Sequence, residues 1–184
     1  MPPENKTVRD FISPADSAAA MSFLGNILGM SPEKTGETYS EHVAGIPLIE
    51  KPGMYEDEGL VGKFRRIDKW KGYGESFPSQ RREIHYDPEY EAHLVEYKDQ
   101  EFMRRHEGSV LHEALGHGLL EAVYGYQKKD HPSRSETFPY MVSVYAEILK
   151  LKKEGVPEND PNYKKHLKAL KELRRMSKEE LDLK

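Results

Sequence analysis

The chain has 184 residues, no cysteine and a formal net charge of −4 at pH 7, with 33% charged and 36% hydrophobic residues. This length suits one domain with its own core. The lack of cysteine excludes disulfides, a thiol nucleophile and cysteine-based metal sites, so a transition metal would have to bind His, Asp and Glu. The small negative charge gives no reason to expect nucleic acid or an anionic membrane as a partner.

The sequence carries no evident targeting or membrane segment. No apolar run approaches the ~18 residues of a membrane span. The mildly apolar stretch 18–30 follows acidic residues rather than a basic segment, so it predicts an amphipathic helix and not a signal peptide. We therefore expect a soluble protein that is cytoplasmic, or exported without a classical signal peptide. The oligomeric state is left open.

The first part of the chain contains few strong signals. Residues 1–12 predict a flexible tail, and residues 13–184 predict a single domain. Ser13 and Pro14 are typical of a helix start, and apolar residues follow at helical spacing: Ala18, Ala19, Met21, Phe23, Leu24, Ile27 and Leu28. Residues 31–60 are rich in Gly, Pro, Glu and Ser, which predicts irregular structure.

Two short strands are predicted in the middle of the chain, at residues 61–70 and 82–86, where Asp87 and Pro88 end the second. The second strand could be an exposed edge that binds an extended peptide. The next segment, residues 89–105, has a helical but highly charged pattern.

The second half predicts three helices. The first begins at Ser109 as N-cap, ends at Gly125, and has an apolar surface of Val110, Leu111, Leu115, Leu119, Leu120, Val123 and Tyr124. The second runs from Ser135 to about Lys153, and the last from Pro161 to about Leu183. The predicted fold class is α+β, a small zincin-like domain with a short sheet, a metal-binding motif helix, a packed glutamate helix and a C-terminal helix.

The most informative segment is His112-Glu113-Ala114-Leu115-Gly116-His117. It differs from the zincin motif His-Glu-x-x-His by one additional residue, so its histidines lie at i and i+5. On a regular helix these positions are roughly 140° apart around the axis, and the two imidazoles would not meet at one ion. A π-bulge absorbs one residue and restores convergence. Gly116 is a residue that tolerates such a distortion.

Zinc catalysis requires three protein ligands, an open position for water and a base beside that water. His112 and His117 are the first two candidate ligands, and Glu113 is the candidate general base. Three ionisable side chains on a leucine-rich helix are costly to bury unless a metal ion or charge partners satisfy them.

The third ligand has three candidates. Glu136 opens the next helix, nineteen residues after His117, a separation similar to that in gluzincins, and it is our first choice. Glu147 is an alternative, because it lies among apolar residues of the same helix and needs a partner there. Glu121 belongs to a different scheme, in which Glu113, His117 and Glu121 bind a metal from a helix without a bulge.

Other residues have possible roles in catalysis or substrate binding. Tyr140 and Tyr145 could donate hydrogen bonds to the oxyanion of a tetrahedral intermediate, although core packing is the ordinary role of a tyrosine in such a helix. His131 and Arg134 lie in the loop between the two candidate ligand helices, where they could face a substrate or simply be solvated.

The hexapeptide resembles the His-Glu-x-x-Gly-His motif of the dipeptidyl peptidase III family of zinc metallopeptidases. The agreement extends to Leu111 and Gly118 and covers about ten residues. The resemblance implies that His112 and His117 bind zinc and that Glu113 is the base. Members of that family are several times longer, have a two-lobed cleft, and carry their third ligand about fifty residues further on in a motif that this chain lacks.

Together these patterns predict a zinc-dependent metallopeptidase that hydrolyses peptide bonds with a metal-bound water and Glu113 as base. Its cofactor would be Zn²⁺ and its partner a peptide or protein substrate. One alternative is a non-catalytic metal-binding or interaction protein, in which the metal holds two helices together. The other is a different metal-dependent enzyme that uses Glu113, His117 and Glu121, and it would tolerate His112→Ala.

Overall fold

A computed structural model describes residues 6–54, 62–67, 81–88, 110–125, 127–128 and 130–182. In chain order the elements are α1 (Val8–Phe11), α2 (Pro14–Leu28), α3 (Pro32–His42), β1 (Leu48–Glu50), β2 (Gly62–Ile67), β3 (Arg81–Tyr86), a π-helical segment (His112–Gly118), α4 (Leu119–Tyr124), a 3₁₀ turn (Pro132–Arg134), α5 (Thr137–Lys153) and α6 (Pro161–Asp182). Residues 110 and 111 are also helical, and we call residues 110–124 the motif helix. Helices and a small sheet agree with the predicted α+β class.

The strands form one sheet in the order β1-β3-β2. β1 runs parallel to β3, with Ile49 opposite His85, and β2 runs antiparallel to β3, with Phe64 opposite Ile84. The two predicted strands are therefore confirmed. The suggestion that residues 82–86 form an exposed edge is wrong, because β3 is the central strand, with β2 along the whole of one side and β1 along residues 84–86 of the other.

The prediction of irregular structure for residues 31–60 is wrong over much of the described part. It missed α3 and β1. Ser31 caps α3 by accepting a hydrogen bond from the Lys34 N–H at 3.2 Å, and Pro32 occupies the first turn. The inward side of α3 carries Thr35 and Thr38, whose hydroxyls donate to backbone carbonyls one turn earlier. Because these inward positions are polar, the helix lacks the apolar periodicity from which a helix is predicted.

Residues 6–12 do not form a loose tail. They contain α1, and Thr7 forms an isolated antiparallel bridge with Pro47. Val8 is completely buried, and its N–H donates to the carbonyl of Ile46 at 3.1 Å. Two buried side chains, Val8 and Ile12, and three backbone hydrogen bonds to residues 44–48 attach this segment to the core. Residues 1–5, the charged segment 89–105 and the predicted cap Ser109 lie outside the described residues.

The predicted helices of the second half are confirmed, with the motif helix and α5 contributing much of the core. α5 packs against both α6 and the π-helical segment. Fully buried side chains in this region include Val110, His112, Leu119, Leu120, Met141, Val142, Val144 and Tyr163. Gly125 and Gly155 have positive φ angles of 71° and 70° where their helices end. Among the helices described, none is long and apolar enough to cross a membrane.

The π-helical segment and α5 approach each other most closely at Gly116 and Pro139. A Cβ atom added to Gly116 would lie 2.7 Å from both Cα and Cβ of Pro139, which is closer than real Cβ atoms approach their neighbours. The glycine of the motif therefore has a steric role that the sequence analysis did not foresee. It allows the two helices to come close enough for their polar side chains to meet.

We predict that Gly116→Ala lowers the free energy of unfolding by about 1–3 kcal/mol, as overpacking in a well-packed core does. The matched control is Gly36→Ala in the interior of α3, because nothing lies within 4 Å of the added methyl group. There the substitution should stabilise the protein by about 0.5–1 kcal/mol. Urea unfolding of both variants measures the difference. Equal effects would show that the contact with Pro139 is not tight.

Candidate metal centre

The predicted bulge is present, and it extends over seven residues as a π-helix from His112 to Gly118. In this conformation the two histidines of the motif point to the same side. Their ring centroids lie 5.3 Å apart. The additional residue of the motif is thus accommodated by the backbone, and π-helical turns are frequent at functional sites.

Glu136 reaches the two histidines from the start of α5. Hydrogen bonds of the residues before and after it, Ser135 and Thr137, fix the backbone turn that carries Glu136. The Ser135 hydroxyl accepts a hydrogen bond from the Thr137 N–H at 3.2 Å, and the Thr137 hydroxyl donates to Glu180 of α6 at 2.8 Å. A carboxylate at this position is also favoured by the dipole of α5. Packing and local hydrogen bonds therefore determine where Glu136 lies.

The three side chains form a compact cluster. His112 Nε2 lies 3.1 Å from one carboxylate oxygen of Glu136, and His117 Nε2 lies 3.2 Å from the other. The candidate ligand atoms of all three residues lie within 4.8 Å of one another, and among the described residues only this group has such geometry. In a tetrahedral zinc site with bonds of ~2.0–2.1 Å, neighbouring ligand atoms are ~3.3 Å apart. The cluster therefore fits a zinc ion after small movements.

The cluster is deep on one side and open on the other. His112 is 1% exposed and Glu113 is 7% exposed, whereas the side chains of His117 and Glu136 are 22% and 47% exposed. A metal ion held by these ligands would have the buried His112 on its inner side and the more exposed His117 and Glu136 on its outer side. Water and a substrate would reach it from the side of His117 and Glu136.

The electrostatics of the cluster favour positive charge. Burial works to raise the pKa of Glu136, but its hydrogen bonds with His112 and His117 and the charge of these imidazoles lower that pKa to about 2. Burial works to lower the pKa of His117, but the hydrogen bond with Glu136 and the negative charges of Glu113 and Glu136 raise it. Glu136 thus remains ionised, and the site attracts a proton or a metal cation.

The structure does not bring Glu121 to the cluster. Its carboxylate receives a hydrogen bond from Arg82 Nε at 2.9 Å and a second, closer one from the same guanidinium. This ion pair connects the motif helix to β3. The scheme that used Glu113, His117 and Glu121 also required a helix without a bulge, and the helix is bulged. Neither requirement of that scheme is met.

Glu147 also lies apart from the cluster. Burial raises its pKa, and the charge of His166 on α6 acts in the opposite direction. The sequence predicted apolar surroundings for this glutamate, and burial is the largest influence on its pKa. Its electrostatic partner is on α6 rather than on the motif helix.

The two candidate tyrosines have different positions. The ring of Tyr140 packs edge-on against His112, with centroids 5.4 Å apart. Tyr145 is five residues further along α5, roughly 140° around the helix, and its ring stacks on Phe23 of α2 at 4.2 Å. Tyr140 therefore lies beside the cluster, whereas Tyr145 belongs to the packing between α2 and α5.

The loop residues also differ. His131 Nδ1 accepts a hydrogen bond from the Ser133 N–H at 3.2 Å and so caps the 3₁₀ turn. This is a structural role. The positive charge of Arg134 works to lower the pKa of His117, so Arg134 lies near enough to influence the cluster electrostatically.

Two residues near the site escaped the sequence analysis. Arg82 pairs with Glu121, and Ser143 lies with its hydroxyl 3.0 Å from His112 Nδ1. The sequence did contain a signal for Ser143. It is a polar residue in an apolar stretch, seven residues after Glu136, and this spacing puts both residues on the same face of a helix. No comparable local signal identified Arg82, because its partner is 39 residues away in sequence.

Comparisons with protein-family models, curated proteins and solved structures find no match for this chain. The functional argument therefore depends on the geometry of the described residues.

We predict that the purified protein contains about one zinc ion per chain and that His112→Ala loses it, because His112 is a ligand in the cluster. The alternative ligand set of Glu113, His117 and Glu121 does not use His112 and would keep the zinc. Glu121→Ala should retain zinc, because Glu121 is bound to Arg82 rather than to the cluster. Elemental analysis of the two variants and the wild type, purified without added metal, tests this. Zinc retained by His112→Ala but lost from Glu121→Ala would contradict the assignment of ligands.

Proposed function

We propose that this protein is a small zincin-like hydrolase that uses zinc to cleave peptide bonds. The observation that carries the proposal is the convergence of His112, His117 and Glu136 beside Glu113, a buried acid in the same π-helical segment. Three protein ligands suit a catalytic zinc ion, whereas structural zinc sites almost always have four. When bound, zinc would supply a polarised water molecule at neutral pH.

In this proposal Glu113 is the general base. It follows His112 directly in the chain, and its negative charge acts on His117, so its carboxylate lies near the ligands. It would accept a proton from the attacking water and later donate it to the leaving amine. Glu136 cannot take this role while it serves as a ligand.

Tyr140 is the candidate that would stabilise the developing oxyanion. Its ring borders His112, and it is partly exposed, so the phenol can be reached from the open side. A positioned hydroxyl donor at the oxyanion favours the transition state over the substrate. Arg134 adds positive charge near the cluster.

A peptide substrate is supported by the position of β2. This strand packs against the π-helical segment, and on its side away from β3 no described strand pairs with it. An extended peptide can add to such an edge through backbone hydrogen bonds. A substrate bound in this way would extend the sheet that packs against the π-helical segment.

We predict that Glu113→Gln lowers the peptidase rate by a factor of about 10²–10⁴, the usual contribution of a general base, while zinc stays bound. Glu147→Gln is the matched control, since it alters a half-buried glutamate of α5 outside the cluster. Cleavage of an unstructured peptide library, followed by mass spectrometry, and zinc analysis of each variant provide the two readouts. Turnover like that of the wild type in Glu113→Gln would contradict the mechanism.

We also predict that chelation of zinc leaves the helices folded and only lowers the melting temperature. The segments around the cluster pack through apolar residues of their own, among them Leu119, Met141 and Val142. Circular dichroism before and after chelation measures this. Complete loss of helical signal would favour the rival interpretation, in which the metal is structural and holds the helices together.

A further inference from the structure

Ser143 presents a buried hydroxyl to the deepest member of the cluster. Its side chain is on α5, and the residue is 3% exposed. Its Oγ atom lies 3.0 Å from His112 Nδ1 and 3.2 Å from the carbonyl oxygen of Pro139. His112 thus contacts Ser143 with one ring nitrogen and Glu136 with the other.

The protons in this chain of contacts can be assigned. A serine hydroxyl has one proton to donate and can accept further hydrogen bonds. The Pro139 carbonyl can only accept, so the hydroxyl proton is directed to it, as for many serines in helices. The contact with His112 must then use a proton on Nδ1. The contact of Nε2 with the ionised carboxylate of Glu136, which can only accept, also uses a proton, and a metal ion would replace that proton.

We infer that Ser143 is a positioning residue, which holds His112 in the form that protonates Nδ1 and presents Nε2 to a metal ion. This inference rests on the metal centre in the proposed function and adds to it a residue outside the ligand set. Histidine ligands commonly donate their second N–H to a neighbouring acceptor, which fixes both the tautomer and the ring orientation.

Pro139 is part of the same arrangement. It contacts Gly116 through its Cα and side chain, and its carbonyl accepts the Ser143 proton. The residue that determines the separation of the two helices therefore also sets the direction of the hydrogen bonds behind His112. In the opposite arrangement Ser143 would donate to Nδ1, and a metal ion on Nε2 would leave the imidazole of His112 without a proton on either nitrogen, which is unfavourable.

The test measures zinc affinity by competition with a chelator for three variants. We expect Ser143→Ala to weaken zinc binding by about 10–100-fold, the usual effect of losing such a partner. Ser143→Thr keeps the hydroxyl and should bind zinc within a few-fold of the wild type. The matched control is Ser177→Ala on α6, a completely buried serine whose hydroxyl has no hydrogen-bond partner among the described residues, and it should not change the affinity.

The second readout is the protonation of His112, obtained from ¹H–¹⁵N correlation spectra of the imidazole nitrogens. In the wild type we expect a proton on Nδ1 both with and without zinc, and in Ser143→Ala a population with Nδ1 unprotonated. Unchanged affinity in Ser143→Ala, equal weakening in Ser143→Thr, or an unprotonated Nδ1 in the wild type would each overturn the inference. If the wild type bound no zinc, the proposed metal centre would fail, and the spectra of the metal-free protein alone would decide the role of Ser143.

Discussion

The close packing of the π-helical segment on α5 is the constraint on which the site depends. Gly116 has no side chain at the point where Pro139 approaches, and this absence lets two helices meet with their polar residues between them. The π-helix brings His112 and His117 to one side, and the start of α5 supplies Glu136. A wider helix separation would take Glu136 and Ser143 out of hydrogen-bond reach of the buried His112, and weaker hydrogen bonding of a buried polar group is energetically costly.

The same packing determines the charge balance of the site. The ionised Glu136 lies 3.1 Å and 3.2 Å from the two imidazoles, and Glu113 adds a second negative charge nearby. An arrangement of two imidazoles and two carboxylates attracts a cation, and zinc accepts both ligand types. The carboxylate of Glu121 forms an ion pair with Arg82, so it does not compete with Glu136 for a metal ion at the cluster. The described residues thus offer one candidate set of ligands.

Much of this could be predicted from the sequence, because the signals are local. The spacing of His112 and His117 predicted the π-bulge, and the glycines at 125 and 155 marked helix ends. Failures occurred where the signal was polar or non-local. α3 buries threonines rather than a row of apolar residues, and β1 pairs with β3 across more than thirty residues. The tight contact of Gly116 with Pro139 and the hydrogen bond between His112 and Ser143 exist only once α5 has packed on the motif helix.

The most direct test of the central claim is anomalous diffraction at the zinc edge from crystals of the zinc-loaded protein. The account predicts one strong peak about 2.0–2.2 Å from His112 Nε2, His117 Nε2 and a carboxylate oxygen of Glu136, with the remaining coordination position facing solvent. A peak bound by Glu121 or by a fourth protein side chain would contradict the account. So would the absence of any peak at the cluster in fully zinc-loaded crystals.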